Sequence, residues 1–250
     1  MGATGPALPE AIEFSVVVPV RDESGAAAAL AREIAAALDG RSYEMIFVDD
    51  ASRDDTRAEL AALKAELPTL RLLGHRANAG QSRAVRTGVL AARAPIIGTL
   101  DGDGQNDPAD LPRLYTRLTR LDAPSALAMV GGRRAKRQDS LAKRVASRLA
   151  NAIRKSLLKD GADDSGSGVK VFKREAFVRL PYFDHMHRYM PALMLREGYA
   201  VEFLDVNHRP RAAGRSKYTN LGRLAANMTD LFGGMWLRTR ARNPGGVDEL

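Results

Sequence analysis

The chain has 250 residues, enough for one large α/β domain or a domain with an appendage, and enough to bury a substantial core. It has no cysteine, which excludes disulfides and thiolate-metal chemistry. Its 38 Lys+Arg against 30 Asp+Glu give a net charge of +8, a balance that favours anionic partners without choosing among phosphates, nucleic acid and an anionic membrane face.

Strands and helices alternate through the first half. Phe14–Val20 reads as a strand and Glu23–Leu38 as a helix; Glu44–Val48 and Asp54–Leu67 repeat the pair. Leu70–Leu73 and Ala79–Ala92 follow, then the apolar strand Pro95–Leu100, a helix over Pro108–Leu121 and a strand at Ala126–Gly131. Such alternation predicts a mostly parallel, doubly wound sheet with helices on both faces. The second half is more basic, with a loop and long helix over Arg133–Lys159. Short strands at Val169–Phe172 and Val201–Val206 flank a helix around His187–Glu197. Residues 1–13 and 241–250 are expected to be flexible, 14–217 to form the catalytic domain and 218–240 an amphipathic helix. No stretch approaches the roughly 20 apolar residues of a membrane span, and Met1–Glu13 has neither the basic nor the apolar region of a signal peptide.

Candidate chemistry collects where strands end. Asp101-Gly102-Asp103-Gly104-Gln105 closes the Pro95 strand, and Pro108 suits the first turn of the following helix. Ligands of open α/β sheets sit at the carboxyl ends of strands. There, two carboxylates one residue apart can share a hard divalent cation and present it to a diphosphate. A plain acidic turn with Asp107 capping a helix is the competing reading. Pro19–Glu23 closes the first strand and Val48–Thr56 the second; their carboxylates can accept hydrogen bonds from a base N–H or ribose hydroxyls. Helix capping competes for Ser52 and Asp54 and is expected for at least one of them. Arg76–Arg83 opens a helix and could cradle phosphate through backbone N–H groups and Arg83, although a plain loop would look the same. Neither a G-x-G-x-x-G after the first strand nor a G-x-x-x-x-G-K-[ST] occurs, which disfavours a dinucleotide-binding enzyme or a P-loop NTPase.

In this order and spacing, Val16-Val17-Val18-Pro19-Val20 with Asp22-Glu23, Val48-Asp49-Asp50 with Ser52, Asp54 and Thr56, Asn78 with Gly80, and Asp101–Gln105 resemble the family-2 glycosyltransferases of GT-A fold. Three later segments resemble the polyprenyl-phosphate group of that family, which includes the dolichol-phosphate mannose synthases. They are Asp164–Gly168, His187–Leu193, and Asn207–Arg211 with Gly214, Ser216, Lys217 and Tyr218. The resemblance covers residues 14–237. It implies transfer of a sugar from a nucleotide-sugar to a lipid phosphate with Mg²⁺ or Mn²⁺. Many members carry C-terminal transmembrane helices, which this sequence lacks.

Position by position, the resemblance implies that Pro19, Glu23 and Asp50 line a nucleoside pocket and that Asp101, Asp103 and Gln105 hold metal and diphosphate. Arg133, Arg144, Ser147, Arg211, Ser216 and Lys217 fall at acceptor-phosphate and mobile-loop positions; a solvated helix face is the competing reading for Arg144. A phosphate monoester, with a second pKa of about 6, is already nucleophilic at neutral pH, whereas an alcohol acceptor would need a positioned base. The expected mechanism is therefore a single inverting displacement, with Asp103, Arg133, Arg211 and Lys217 nearest the chemistry. His185, His187 and His208 are expected to be structural or to donate to phosphate rather than act as bases.

From Leu221 to Trp236, apolar residues recur at three- and four-residue spacing beside Arg223, Arg238 and Arg240. This stripe fits either a helix packed on the core or an interfacial helix. The expected location is the cytoplasmic face of a membrane, peripherally bound, with a homo-oligomer or membrane-protein partner left open. A family-2 enzyme with a sugar hydroxyl acceptor is the nearest alternative, and a sugar-phosphate nucleotidyltransferase the next. The latter should carry a glycine-rich basic loop after the first strand, where Pro19–Glu23 stands instead. With 6% aromatics and no recognition motif, nucleic acid is not expected as a partner.

Overall fold

The computed structural model describes residues 11–134, 167–209 and 220–242, the last with side chains from Thr229 onward. Arg144, Ser147, Arg211, Ser216 and Lys217 lie outside the described residues, as do Asp164–Gly166 and the basic helix expected within Arg133–Lys159.

The described strands are β1 (Phe14–Val20), β2 (Tyr43–Asp49), β3 (Leu70–Gly74), β4 (Ile96–Thr99), β5 (Leu127–Arg134), β6 (Lys170–Lys173) and β7 (Ala200–Val206). They form one seven-stranded sheet in the order β3-β2-β1-β4-β6-β5-β7. β2, β1 and β4 run parallel, as do β2 with β3 and β5 with β7. β6 lies antiparallel between β4 and β5. The expectation of a mostly parallel sheet holds. The antiparallel insertion was not expected, because a four-residue strand carries no signal for its direction.

The helices are α1 (Ala26–Ala37), α2 (Thr56–Leu63), α3 (Gln81–Ala91), α4 (Leu111–Thr119), α5 (Arg174–Val178), α6 (Met190–Arg196) and α7 (Asn220–Thr239). Strand alternation sorts side chains to the two faces. Val16, Val18 and Val20 pack with α1 and α4 in one core cluster. Val17 points the other way, into a second cluster with α3, α5, α6 and Leu231 of α7. Layers of helix therefore cover both faces of the sheet.

The order of the first strands fixes where a ligand can sit. The chain builds outward from β1 through β2 to β3, then returns to the other side of β1 for β4. The crevice outside the carboxyl ends of β1 and β4 is thus a topological switch point. Beneath it α3 packs very close to the sheet at Gly88. A Cβ there would stand 2.4 Å from Val17 Cγ1 and 3.2 Å from Val48 Cγ2. Gly88→Ala is expected to destabilise the fold by about 1–3 kcal/mol through overpacking. The check is urea unfolding, with a lower midpoint at unchanged slope.

Candidate active site

Two consecutive acidic residues end β2, and each organises a different segment. Asp49, fully buried, accepts from Ser52 N at 3.1 Å and from Arg57 Nε at 2.7 Å, fixing the entry to α2. Asp50, also buried, is surrounded by the loop that leads into α3. Its Oδ1 accepts from Ala79 N at 2.8 Å and meets His75 Nδ1 at 2.7 Å. Its Oδ2 accepts from Gly80 N at 2.8 Å and from the Asn78 amide. Burial works against the Asp50 charge, but the His75 bond and the two backbone N–H groups outweigh it and lower its pKa.

The Asp50 carboxylate anchors the loop from within the chain. The N–H groups of Ala79 and Gly80 are bonded to Asp50, and Arg83 lies 3.9 Å from the Tyr182 ring centroid. Asp54 Oδ1 accepts from Thr56 N at 3.1 Å in a turn just before α2, whose N-cap residue, Asp55, makes no side-chain capping bond. Ser52 instead accepts from Asp22 N at 2.9 Å, and Glu23 N donates to Thr56 Oγ1 at 2.8 Å, so the ends of β1 and β2 are laced together.

The acidic turn after β4 is shaped by close approaches. A Cβ on Gly102 would lie 2.8 Å from the Pro19 carbonyl and 2.6 Å from Val20 Cγ1, so the turn can seat against the end of β1 only with glycine there. Gly104 adopts φ 71°, the left-handed region that glycine enters freely. Asp101 N donates to Asn106 Oδ1 at 2.8 Å, and Gln105 N donates to Asp103 Oδ1 at 3.2 Å. Asp101 Oδ1 accepts from Gln81 Nε2, the first residue of α3, at 2.7 Å. Burial raises the Asp101 pKa, as does the like charge of Asp103; Lys170, Gln81 and Arg134 pull the other way.

Three groups absent from the sequence reading therefore converge on Asp101: Gln81, Lys170 and Arg134. Arg133, expected at the acceptor phosphate, is bonded through Nε to Asp205 Oδ1 at 2.6 Å on the neighbouring strand. Neighbouring residues of a strand face opposite sides, and the charge of Arg134 acts with that of Lys170 to lower the Asp101 pKa. Beyond Asp101, His187 Nδ1 meets Ser82 Oγ at 2.7 Å. Burial, then the charges of Lys170, Arg188 and His185, hold the His187 pKa well below 6.5, which favours the neutral ring. His185 pairs with Asp230 of α7 at 2.8 Å, and His208 bridges Asn106 in a short antiparallel contact. The rings of His75, His185 and His187 are thus each bonded to another side chain.

The acidic turn is also where the chain gathers. Arg209 N donates to the Gln105 carbonyl at 2.9 Å, and its guanidinium bonds Asp107 at 2.8 Å and Glu33 at 2.6 Å. Arg209 thus lies beside Gln105, and Gly168 beside Asp101. Among the described residues no three His, Cys, Asp or Glu side chains form a metal cage. Two carboxylates that repel one another fit a hard cation whose remaining ligands come from a phosphate and water.

A doubly wound sheet with an acidic turn at its switch point is the GT-A type of glycosyltransferase fold. The chain shares that fold with solved structures of glucosyl-3-phosphoglycerate synthase from Mycobacterium tuberculosis. The complex of that enzyme with Mn²⁺, UDP and glucosyl-3-phosphoglycerate gives a TM-score of 0.68 at 19% identity, over 93% of this chain and 82% of that one. Residues 15–180 match the model of glycosyl transferase family 2, and the chain belongs to that family. A dodecaprenyl-phosphate galacturonate synthase from Rhizobium johnstonii is 28% identical over 94% of this chain and 70% of its own length. An undecaprenyl-phosphate 4-deoxy-4-formamido-L-arabinose transferase from Pseudomonas aeruginosa (strain LESB58) is 34% identical over 87% of this chain and 63% of its own. The chain thus spans roughly two thirds of these relatives' length.

Asp50→Asn replaces an acceptor-only carboxylate by an amide that turns two donors toward donors. It is expected to cost about 1–3 kcal/mol, read by denaturation, and to weaken nucleotide binding through the displaced loop. Because the folded Asp50 pKa is depressed, its contribution is complete above the unfolded pKa, near 4. It is lost as pH falls through the folded value. The wild-type stability advantage over Asp50→Asn should therefore shrink on acidification.

Proposed function

We propose that the chain transfers a sugar from a nucleotide-sugar donor to a polyprenyl phosphate, giving a lipid-linked monosaccharide with inversion. The observation that carries this is the Asp101–Asp103 pair at the switch point of a family-2 sheet. Relatives named for dodecaprenyl- and undecaprenyl-phosphate support the acceptor class. Structures of the glucosyl-3-phosphoglycerate synthase holding UDP with Mg²⁺ or Mn²⁺ support the donor and the metal.

In this reading Asp101, Asp103 and Gln105 hold the divalent cation and the diphosphate, and Pro19 and Glu23 border the nucleoside. The cation, when bound, offsets charge on the departing diphosphate. Gln81 orients Asp101, and the turn bonded between Asp103 and Gln105 keeps the second carboxylate on the same rim. Arg134, with Arg144, Ser147, Arg211, Ser216 and Lys217, receives the acceptor phosphate. Convergent guanidinium and ammonium groups orient one phosphate oxygen toward the anomeric carbon better than a single flexible lysine could. The nucleophile arrives ionised, so no side chain has to remove its proton.

A lipid acceptor has to be met at a bilayer. No described helix is long and apolar enough to cross one. α7 divides its apolar residues between two duties. Leu231 is buried and Leu237 packs on the second core cluster, while Phe232 and Trp236 are 56% and 57% exposed. Arg240 lies 5.9 Å from the Trp236 ring, with Arg238 and Arg242 close by in sequence. Both readings of the C-terminal stripe therefore enter the proposal. One edge of the helix belongs to the core, and the other, aromatic and basic, rests peripherally in the headgroup region of a cytoplasmic membrane face.

Two tests follow from these separate faces. Asp103→Asn, Asp101→Asn or removal of metal by EDTA is expected to cut transfer to undecaprenyl phosphate by on the order of a hundredfold or more, measured as lipid-linked product by mass. Full turnover in metal-free enzyme would overturn the assignment. Replacing Phe232 and Trp236 together by Ser should weaken binding to phosphatidylglycerol vesicles by roughly tenfold or more while leaving the fold intact. Sedimentation with vesicles checks this, and unchanged binding would remove the membrane role of α7.

A further inference from the structure

Lys170 is a lysine where lysines are rarely found. It is 6% exposed, opens β6, and stands in register with Thr99 of β4 and Gly131 of β5. Its ammonium donates to the carbonyl of Ser167, itself buried. The next carbonyl, of Gly168, accepts from Thr99 Oγ1 at 2.9 Å, and that of Val169 accepts from Gly132 N at 2.9 Å. Ser167–Val169 is therefore a short strap pinned at three consecutive carbonyls across the end of the sheet.

The strap lies against Asp101. A Cβ on Gly168 would stand 2.3 Å from Asp101 Oδ2, 2.4 Å from its Cγ and 2.6 Å from Asn106 Oδ1. The Asp101 carboxyl is thus bounded on one side by Gly168 and on the other by Gln81, which donates to Oδ1. A carboxylate confined on both sides has one orientation to offer. If the strap shifted by even a fraction of an ångström, Asp101 could turn away from Asp103.

We propose that Lys170 is a positioning residue for the acidic turn: it holds the Ser167–Gly168 strap flush against Asp101, so that the carboxylate is pre-set for a divalent cation carrying a nucleoside diphosphate. This rests on the functional reading above and deepens it. Lys170 acts on the turn through Ser167 and Gly168, and its charge bears on Asp101 as well. A buried ammonium suits this task better than a neutral donor because a charge-assisted bond to the carbonyl is the stronger one. Partners standing behind metal ligands typically change metal affinity by about 10–100-fold when removed.

The experiment uses the full chain with Mn²⁺ and UDP as probes. Lys170→Met keeps length and volume but removes the donor and the charge, and Lys170→Arg keeps both. Calorimetry should find Mn²⁺-dependent UDP binding weakened roughly 10–100-fold in Lys170→Met and partly recovered in Lys170→Arg. The KM for undecaprenyl phosphate should change far less than the KM for the donor. Hydrogen exchange of the metal-free protein should be faster at residues 167–169 in Lys170→Met. Wild-type Mn²⁺·UDP affinity in a folded Lys170→Met protein would overturn the inference. If that variant does not fold, Gly168→Ala, which drives a methyl into Asp101, and Thr99→Val, which removes a second pin, decide the matter. Normal Mn²⁺·UDP affinity in both would overturn it. If the wild type itself binds no Mn²⁺·UDP, the functional reading fails separately, and unaltered exchange at 167–169 in Lys170→Met would still defeat the strap.

Discussion

The Asp50 carboxylate is the point from which the rest of the site is built. Its oxygens gather His75, Asn78, Ala79 and Gly80 around one buried charge. An ionised carboxylate is acceptor-only, so donors must come to it from several directions, and a loop that satisfies it has little freedom left. That loop ends at Gly80, with φ 84°, and hands the chain directly to α3. The first two residues of α3 then reach across the crevice: Gln81 to Asp101 and Ser82 to His187. One buried charge at the end of β2 thereby sets the position of side chains at the end of β4, although no strand pairing joins them.

Period and punctuation made much of this legible in the sequence. β1 and β2 are β-branched or apolar runs stopped by charged residues, and the acidic turn follows an apolar run as a ligand site at a strand end should. The turn glycines read correctly because a close approach and a left-handed φ each demand them. Other features left no such mark. Arg133 and Arg134 are adjacent and chemically equal; only the phase of β5 decides which faces Asp101, and phase is set by pairing with β7. Lys170 sits between valines in a strand whose ends are basic, Lys170-Val171-Phe172-Lys173, and reads as an edge until its two sheet neighbours are known. Asp50 looked like an open acceptor because sequence cannot tell whether a donor will come from a ligand or from the chain's own loop.

Net charge was the weakest guide, for a physical reason. Many arginines are spent inside the molecule: Arg57 on Asp49, Arg71 on Glu44, Arg117 and Arg120 on Glu202, and Arg209 on Glu33 and Asp107. Two of these carboxylates, Asp49 and Glu44, are buried, which makes their pairs part of the fold rather than a field presented to a partner. What bears on an anionic ligand is the local balance at the acidic turn, not the sum over the chain.

That balance also bears on the acceptor. The four histidines of the chain are His75, His185, His187 and His208. His75 is held between Asp50 and Thr87, His185 faces Asp230, His187 is bonded to Ser82 with its ring kept neutral by burial, and His208 lies in the contact with Asn106. The imidazoles of His75, His185 and His187, tied into such bonds, are poor candidates to collect a proton from an alcohol, since each would first have to break a bond that holds a loop. A phosphate acceptor makes no such demand, because its second ionisation is largely complete at neutral pH. What it needs is cations arranged around it, and Arg134 is one whose charge already bears on Asp101. The disposition of the histidines and the crowding of charge at one crevice thus favour the same acceptor chemistry that the related polyprenyl-phosphate enzymes are named for.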